Sequence, residues 1–228
     1  MSLLTFLKKP IIKAREDLRK QLMNKSVKDK NFTIVSNNCW GSELYRDMGL
    51  MYNTPFVAVI IYAPCYIKLL SNLKEYLESP LTFTNVSRYD LANEERKTRL
   101  YPIGLLKEDI EIHFYHIFNE LEAKEKWNRR VKRINWENLF IVFCGEKCCT
   151  EEILEEFEKL DFPYKVCFTA KKYPRLKSTI AIKEYANNGA SMYYISRKYF
   201  NVASWLNKES GDISFFEKLI GTLLYSLF

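Results

Sequence analysis

From residue 32 onward the chain alternates short apolar runs with longer amphipathic stretches, and this alternation admits few folds. Apolar runs of four to seven residues are too short for helices that bury themselves on all sides, whereas the stretches between them show the spacing of one greasy helical face. Strands are expected at Phe32–Ser36, Phe56–Ile61, Leu81–Thr84, Ile110–Tyr115, Leu139–Cys144 and Tyr164–Phe168. Helices are expected at Gly41–Met48, Tyr66–Leu77, Asn119–Arg133 and Glu151–Leu160. The fold class is α/β, a three-layer α/β/α sandwich around a mainly parallel, Rossmann-like sheet. Beyond residue 178 the segments around Ile180, Met192–Ile195, Asn201–Leu206 and Phe215–Leu224 read as a closing strand or two followed by helices. No linker, repeat or low-complexity tract divides residues 31–228, which are read as a single domain.

Ahead of that domain, residues 1–30 form a separate pattern. Leu4, Leu7, Ile11, Leu18 and Leu22 fall at helical spacings with Lys and Arg between them. Nine basic side chains stand there against Glu16, Asp17 and Asp29, so six of the formal +7 charges belong to this helix. A charge so localised argues against a nucleic-acid-binding face over the whole domain, and no nucleic acid is expected as partner. It fits either a solvated helix face or peripheral contact of residues 1–25 with an anionic membrane. No apolar run is long enough to cross a bilayer, and the first residues lack an export signal. Six cysteines without a secreted framework, several of them inside apolar runs, point to a reducing, cytoplasmic setting.

Three polar clusters have the residue types for chemistry. In the first, the apolar strand ending at Val35 gives way to Ser36, Asn37, Asn38 and Cys39 where a helix begins. Ligands of open α/β sheets gather beyond the carboxyl ends of strands, and helix N-termini favour anions. Ser36, Asn37 and Asn38 are therefore candidates to hold a phosphate or sugar, and Cys39 is a candidate nucleophile. The alternative is that Asn38 or a neighbour caps the helix while Cys39 packs beneath it.

The second cluster, Asp109 to His116, contains both histidines of the chain. On a strand Asp109, Glu111, His113 and Tyr115 share one face, which suits acid/base catalysis or binding of a divalent metal, or else forms the solvated face of an edge strand. In the third, Lys126, Arg129, Arg130 and Arg133 share a helix side able to clamp phosphate, with Trp127 available to stack on a base or sugar, or else form a solvated face partly paired with Glu122 and Glu125. The run Cys144 to Cys149 lacks the paired Cys-x-x-Cys knuckles of a zinc site, so no metal is assigned, and no cofactor is identified. Walker, Gly-x-Gly-x-x-Gly, Gly-x-Ser-x-Gly and Asp-x-Asp motifs are all missing, which weakens the common nucleotide-hydrolase, dehydrogenase, esterase and sugar-nucleotide transferase readings.

Ser36–Gly41, Tyr52–Phe56, Tyr101–Gly104, Asp109–Phe114 and Lys126–Arg130, in that order, resemble an uncharacterised bacterial family labelled as exopolysaccharide biosynthesis proteins. The resemblance runs from about Asn31 to Asn207 and leaves out the basic helix; Ser42 stands where the family often has Gly. It implies an α/β fold and a role in capsule or exopolysaccharide assembly, but no reaction. The expectation is an enzyme that transfers a glycosyl or other group using a sugar or sugar-phosphate. Ser36, Asn37 and Asn38 would hold substrate, His113 with Glu111 or Asp109 would move a proton, and Arg129, Arg130 and Arg133 would neutralise phosphate. A non-catalytic glycan- or protein-binding scaffold is the alternative.

Overall fold

The computed structural model describes residues 3–186, 188–215, 217 and 219–220. Two sheets organise the chain. The first is fully parallel, in the order β1 (Thr33–Ser36), β5 (Leu139–Cys144), β6 (Lys165–Thr169) and β7 (Thr179–Ala181). The second is an antiparallel meander of β2 (Leu81–Thr84), β3 (Ile103–Leu106) and β4 (Ile110–His113). The sequence places β2 and β4 in one sheet with β1, and the structure separates them.

The parallel strands are apolar on both sides because both sides are covered. Val35, Ile141, Phe143 and Cys167 face a core shared with α3 (Ala63–Ser71), α4 (Leu73–Glu78), α7 (Glu151–Lys159) and the antiparallel sheet. Ile34, Phe140, Val142 and Phe168 face the opposite way. There they pack with α1 (Leu3–Ser26), α2 (Trp40–Met48), α8 (Gly189–Ser196) and α9 (Val202–Leu206). Asn119 caps α6 (Glu120–Val131) by accepting the Glu122 N–H at 2.8 Å, as its position before a helical run implies.

Two expectations are corrected, and two elements appear that the sequence did not announce. Phe56–Ile61 is not a strand: Ala58 takes a left-handed φ of 65°, and only Ile60 bridges to His113. The segment instead ties the sheets together, with Ile60 and His113 exchanging two backbone bonds, Ile61 N–H donating to Asn37 O, and Ala63 N–H donating to Lys147 O. The helix expected over Tyr66–Leu77 breaks at Asn72, whose φ of −145° is not helical. Finally, α5 (Asp90–Thr98) and β3 carry no expectation from the sequence. Of the 215–224 segment, most lies outside the described residues.

Helix α1 docks through the buried Arg19 and Met23, with buried Val27 just past its end, and the Asn24 amide donates to Met48 O. Leu18 and Leu22, two of the apolar residues at helical spacing, remain exposed. Among the described residues no helix is long and apolar enough to cross a membrane.

Candidate functional site

The carboxyl ends of β1 and β5 open into a cleft of about 690 Å³. Its floor comes from the residues that follow those strands: Asn38 and Cys39 after β1, and Gly145, Glu146 and Lys147 after β5. One wall is the start of α8, at Asn188 and Gly189; the other is α5 with Glu95, the adjoining Arg99, and Tyr115 and His116 beyond β4. A smaller hollow of about 410 Å³ adjoins it, sharing Cys39, His116 and Asn188 and adding Arg46, Tyr52 and Ala58.

Glu146 is the group with the most evident chemistry. Burial pushes its carboxyl up to about 7, although the Asn38 amide donates to Oε1 at 2.8 Å and Lys147 lies nearby. A carboxyl that is half protonated near neutrality can both give and take a proton. Asn38 also accepts the Trp40 N–H at 3.0 Å, so it caps α2 and orients Glu146 at once. Around this acid stand two cations. Lys147 is held by Glu95 at 2.5 and 2.8 Å. Arg99 lies 4.6 Å from the Tyr115 ring centre and 3.2 Å from His116 Nδ1, and among the described residues it has no carboxylate partner. A cation set beside aromatic and imidazole groups favours an anionic ligand.

The other expected site residues are distributed unevenly. Ser36 and Asn37 do not face the cleft with free groups. Ser36 Oγ donates to Asn38 O at 2.7 Å and accepts the Gly41 N–H. Asn37 clasps the Cys144 backbone, donating to O at 3.0 Å and accepting from N at 2.9 Å. Cys39 does line the cleft, but burial and the nearby Glu43 push its thiol up to about 11, so it is a neutral thiol and a poor nucleophile. Trp127 is 1% exposed and packs edge-on against Phe56 and Phe114, which removes it as a stacking platform. Of the arginines, Arg129 is exposed, Arg133 is half-buried and neither lines the cleft. Arg130 lies 5.3 Å from the centre of the ring of Tyr52, a residue that lines the smaller hollow.

Strand β4 is buried on both faces rather than half solvated. Asp109 lies at its start, bound to Lys68 and Tyr76 at 2.8 Å each, at the other end of the strand from His113. Glu111 and His113 do form a pair, with Nε2 3.2 Å from Oε2. Glu111 is fixed by Ser87 Oγ at 2.5 Å, by Arg88 N–H at 2.7 Å and by Arg88 Nε at 3.1 Å. With these donors its carboxyl lies at about 2 despite burial, while burial lowers His113 and keeps the imidazole neutral. His113 is not on the cleft surface. It sits behind it, enclosed by Tyr62, Tyr89 and Tyr101. Among the described residues no group of His, Cys, Asp and Glu is placed to hold a metal.

The sequence reading missed Glu146, Lys147, Glu95, Arg99 and Asn188. The rule that singled out the end of β1 applies equally to Gly145-Glu146-Lys147 after β5, where the cysteines drew attention to metal instead.

Residues 11–217 match the family model described as a domain of unknown function, DUF1919. Over 194 residues, 81% of this chain and 88% of the other, the sequence is 33% identical to a protein of Haemophilus influenzae described as uncharacterised. The family match begins inside α1, ahead of the Asn31 boundary of the sequence resemblance.

Proposed function

The chain belongs to the DUF1919 family, and from that premise we propose that it is an enzyme of surface-polysaccharide assembly that binds a sugar phosphate in the cleft beyond β1 and β5. The observation that carries this reading is one constellation: a Glu146 carboxyl poised near 7, held by Asn38, with Arg99 and Lys147 at the same opening. In the reaction class proposed, an acceptor hydroxyl displaces phosphate from a sugar carbon. The new carbon–oxygen bond forms as the old one breaks, its electron pair leaves with the phosphate, and the hydroxyl proton passes to a base. Arg99 and Lys147 neutralise the departing phosphate, and protonated Glu146 supplies its proton. The polysaccharide setting comes from the motif resemblance, whose Ser36–Gly41 segment supplies two residues of the cleft floor.

Calorimetric titration with glucose 1-phosphate and with UDP-glucose tests the reading. Loss of a charge-assisted hydrogen bond in Arg99→Ala should weaken binding by roughly 10- to 100-fold. Glu146→Gln should bind yet fail in turnover. No binding by the parent protein at about 10 mM ligand refutes the proposal. Binding without turnover supports the scaffold alternative instead.

We place the protein at an anionic membrane surface, since Leu18 and Leu22 stay exposed on a helix rich in Lys and Arg. Unchanged sedimentation with anionic vesicles after Leu18→Ser and Leu22→Ser would remove that placement.

A further inference from the structure

Behind the cleft three buried polar atoms have no hydrogen-bond partner among the described residues: both ring nitrogens of His113 and the hydroxyl of Tyr62. Both residues are 1% exposed, and their ring centres lie 5.0 Å apart. A buried orphan of this kind destabilises the fold unless something else fills the place of the missing partner. The pair is also close to the cleft. Lys147 Nζ, on the cleft floor, sits 5.3 Å from the centre of the Tyr62 ring, and His113 feels the charges of both Lys147 and Glu95. The loop that carries Lys147 has Cys148 at a left-handed φ of 60°, a strained conformation that clusters at working sites.

Glu111 biases which nitrogen holds the hydrogen. Nε2 makes no well-aligned hydrogen bond, but the carboxylate 3.2 Å away favours the hydrogen on that nitrogen and the lone pair on Nδ1. The carboxylate is itself held by three donors from Ser87 and Arg88, so the imidazole is oriented as a base is oriented by a third group.

We infer that His113 and Tyr62 form an inner subsite for a substrate hydroxyl, covered by the Lys147–Glu95 ion pair and uncovered when an anionic ligand draws Lys147 away. The Tyr62 hydroxyl donates to the incoming oxygen. The hydroxyl's O–H bond breaks, its proton passes to Nδ1, and the electron pair stays on oxygen to form the new bond to the sugar carbon. The imidazolium so formed faces the Glu111 carboxylate. His113 is thus the base for the acceptor, and Glu146 the acid for the leaving phosphate. This inference rests on the reading of the cleft as an anion site and extends it to the acceptor.

The chain has only two histidines, so imidazole C2–H exchange into deuterated water can be followed by NMR for each, with His116→Gln used solely to assign the signals. In the free protein His113 should exchange more slowly than His116, which is exposed. Saturating inorganic phosphate, with binding followed by calorimetry in the same buffer, should speed His113 exchange about tenfold. Lys147→Gln should speed it without phosphate. Phosphate binding with unchanged His113 exchange overturns the inner subsite while leaving the anion site standing. Absence of phosphate binding overturns both, and a Lys147→Gln protein that exchanges as slowly as the parent overturns the cover.

Discussion

Replacing Asn37 with alanine separates a structural amide from a ligand-binding one. The side chain extends the β1–β5 ladder by one rung, bonding both backbone groups of Cys144 just past the last paired residue, Ser36. The two bonds are not equivalent. Cys144 O also accepts the Glu146 N–H at 2.7 Å, so it keeps a partner when Asn37 is cut back. Cys144 N–H has Asn37 Oδ1 as its acceptor and becomes an orphan inside a fully buried strand end. An orphaned buried donor costs about 1–3 kcal/mol and a net hydrogen bond about 0.5–1.5 kcal/mol, giving a loss of roughly 2–4 kcal/mol. That is a large share of a typical total of about 5–15 kcal/mol. Urea unfolding should show a lower midpoint with an unchanged m value. A loss below about 0.5 kcal/mol would refute the reasoning and return Asn37 to the candidates for ligand contact.

Glu146 has its own pH signature. Its folded-state pKa is raised, so the folded chain holds a proton that the unfolded chain has lost between about 4.5 and 7, and stability attributable to this group falls as pH rises through that window. Glu146→Gln should therefore gain stability over the parent between pH 4.5 and 7 and keep that advantage above it, by urea midpoints at a series of pH values; parallel profiles contradict the assignment. At the buried dyad the sign is reversed. Glu111 is depressed to about 2 and His113 is lowered below 6.5, so both contribute stability that is lost as pH falls, His113 from about 6.5 downward and Glu111 between about 4.5 and 2. In Glu111→Gln that acid-side slope should flatten, and an unaltered profile would count against the pairing. Trp127→Ala should cost about 3–5 kcal/mol as a core cavity, and a near-neutral value in thermal unfolding would restore it as a surface platform.

The parallel sheet was legible because its signal is local. Leu139–Cys144 is apolar throughout, as a strand covered on both sides must be, and the structure places β5 on those residues. The antiparallel sheet was harder to read. Lys107 and Glu108 take left-handed φ values of 51° and 57° in the β3–β4 turn, with no Gly or Asn to announce it, so the hairpin was invisible. The alternation of Glu111 and His113 correctly put them on one side, but sequence does not say whether that side meets water or the rings of Tyr62, Tyr89 and Tyr101. Asn38 was legible both as a cap and as a cleft residue, and it is both. Glu146 was not, because what sets it apart is desolvation by residues distant in the chain, which no spacing rule records.

The cleft is walled on one side by the start of α8, a helix packed in the core beneath one face of the parallel sheet, and on the other by α5 and the residues after β4, a strand packed in the core on the opposite face. Whatever lodges there acts as mortar between two separately packed masonry courses. Occupancy and cohesion of the halves then become one equilibrium, so a tight ligand would stiffen the whole molecule rather than a single loop.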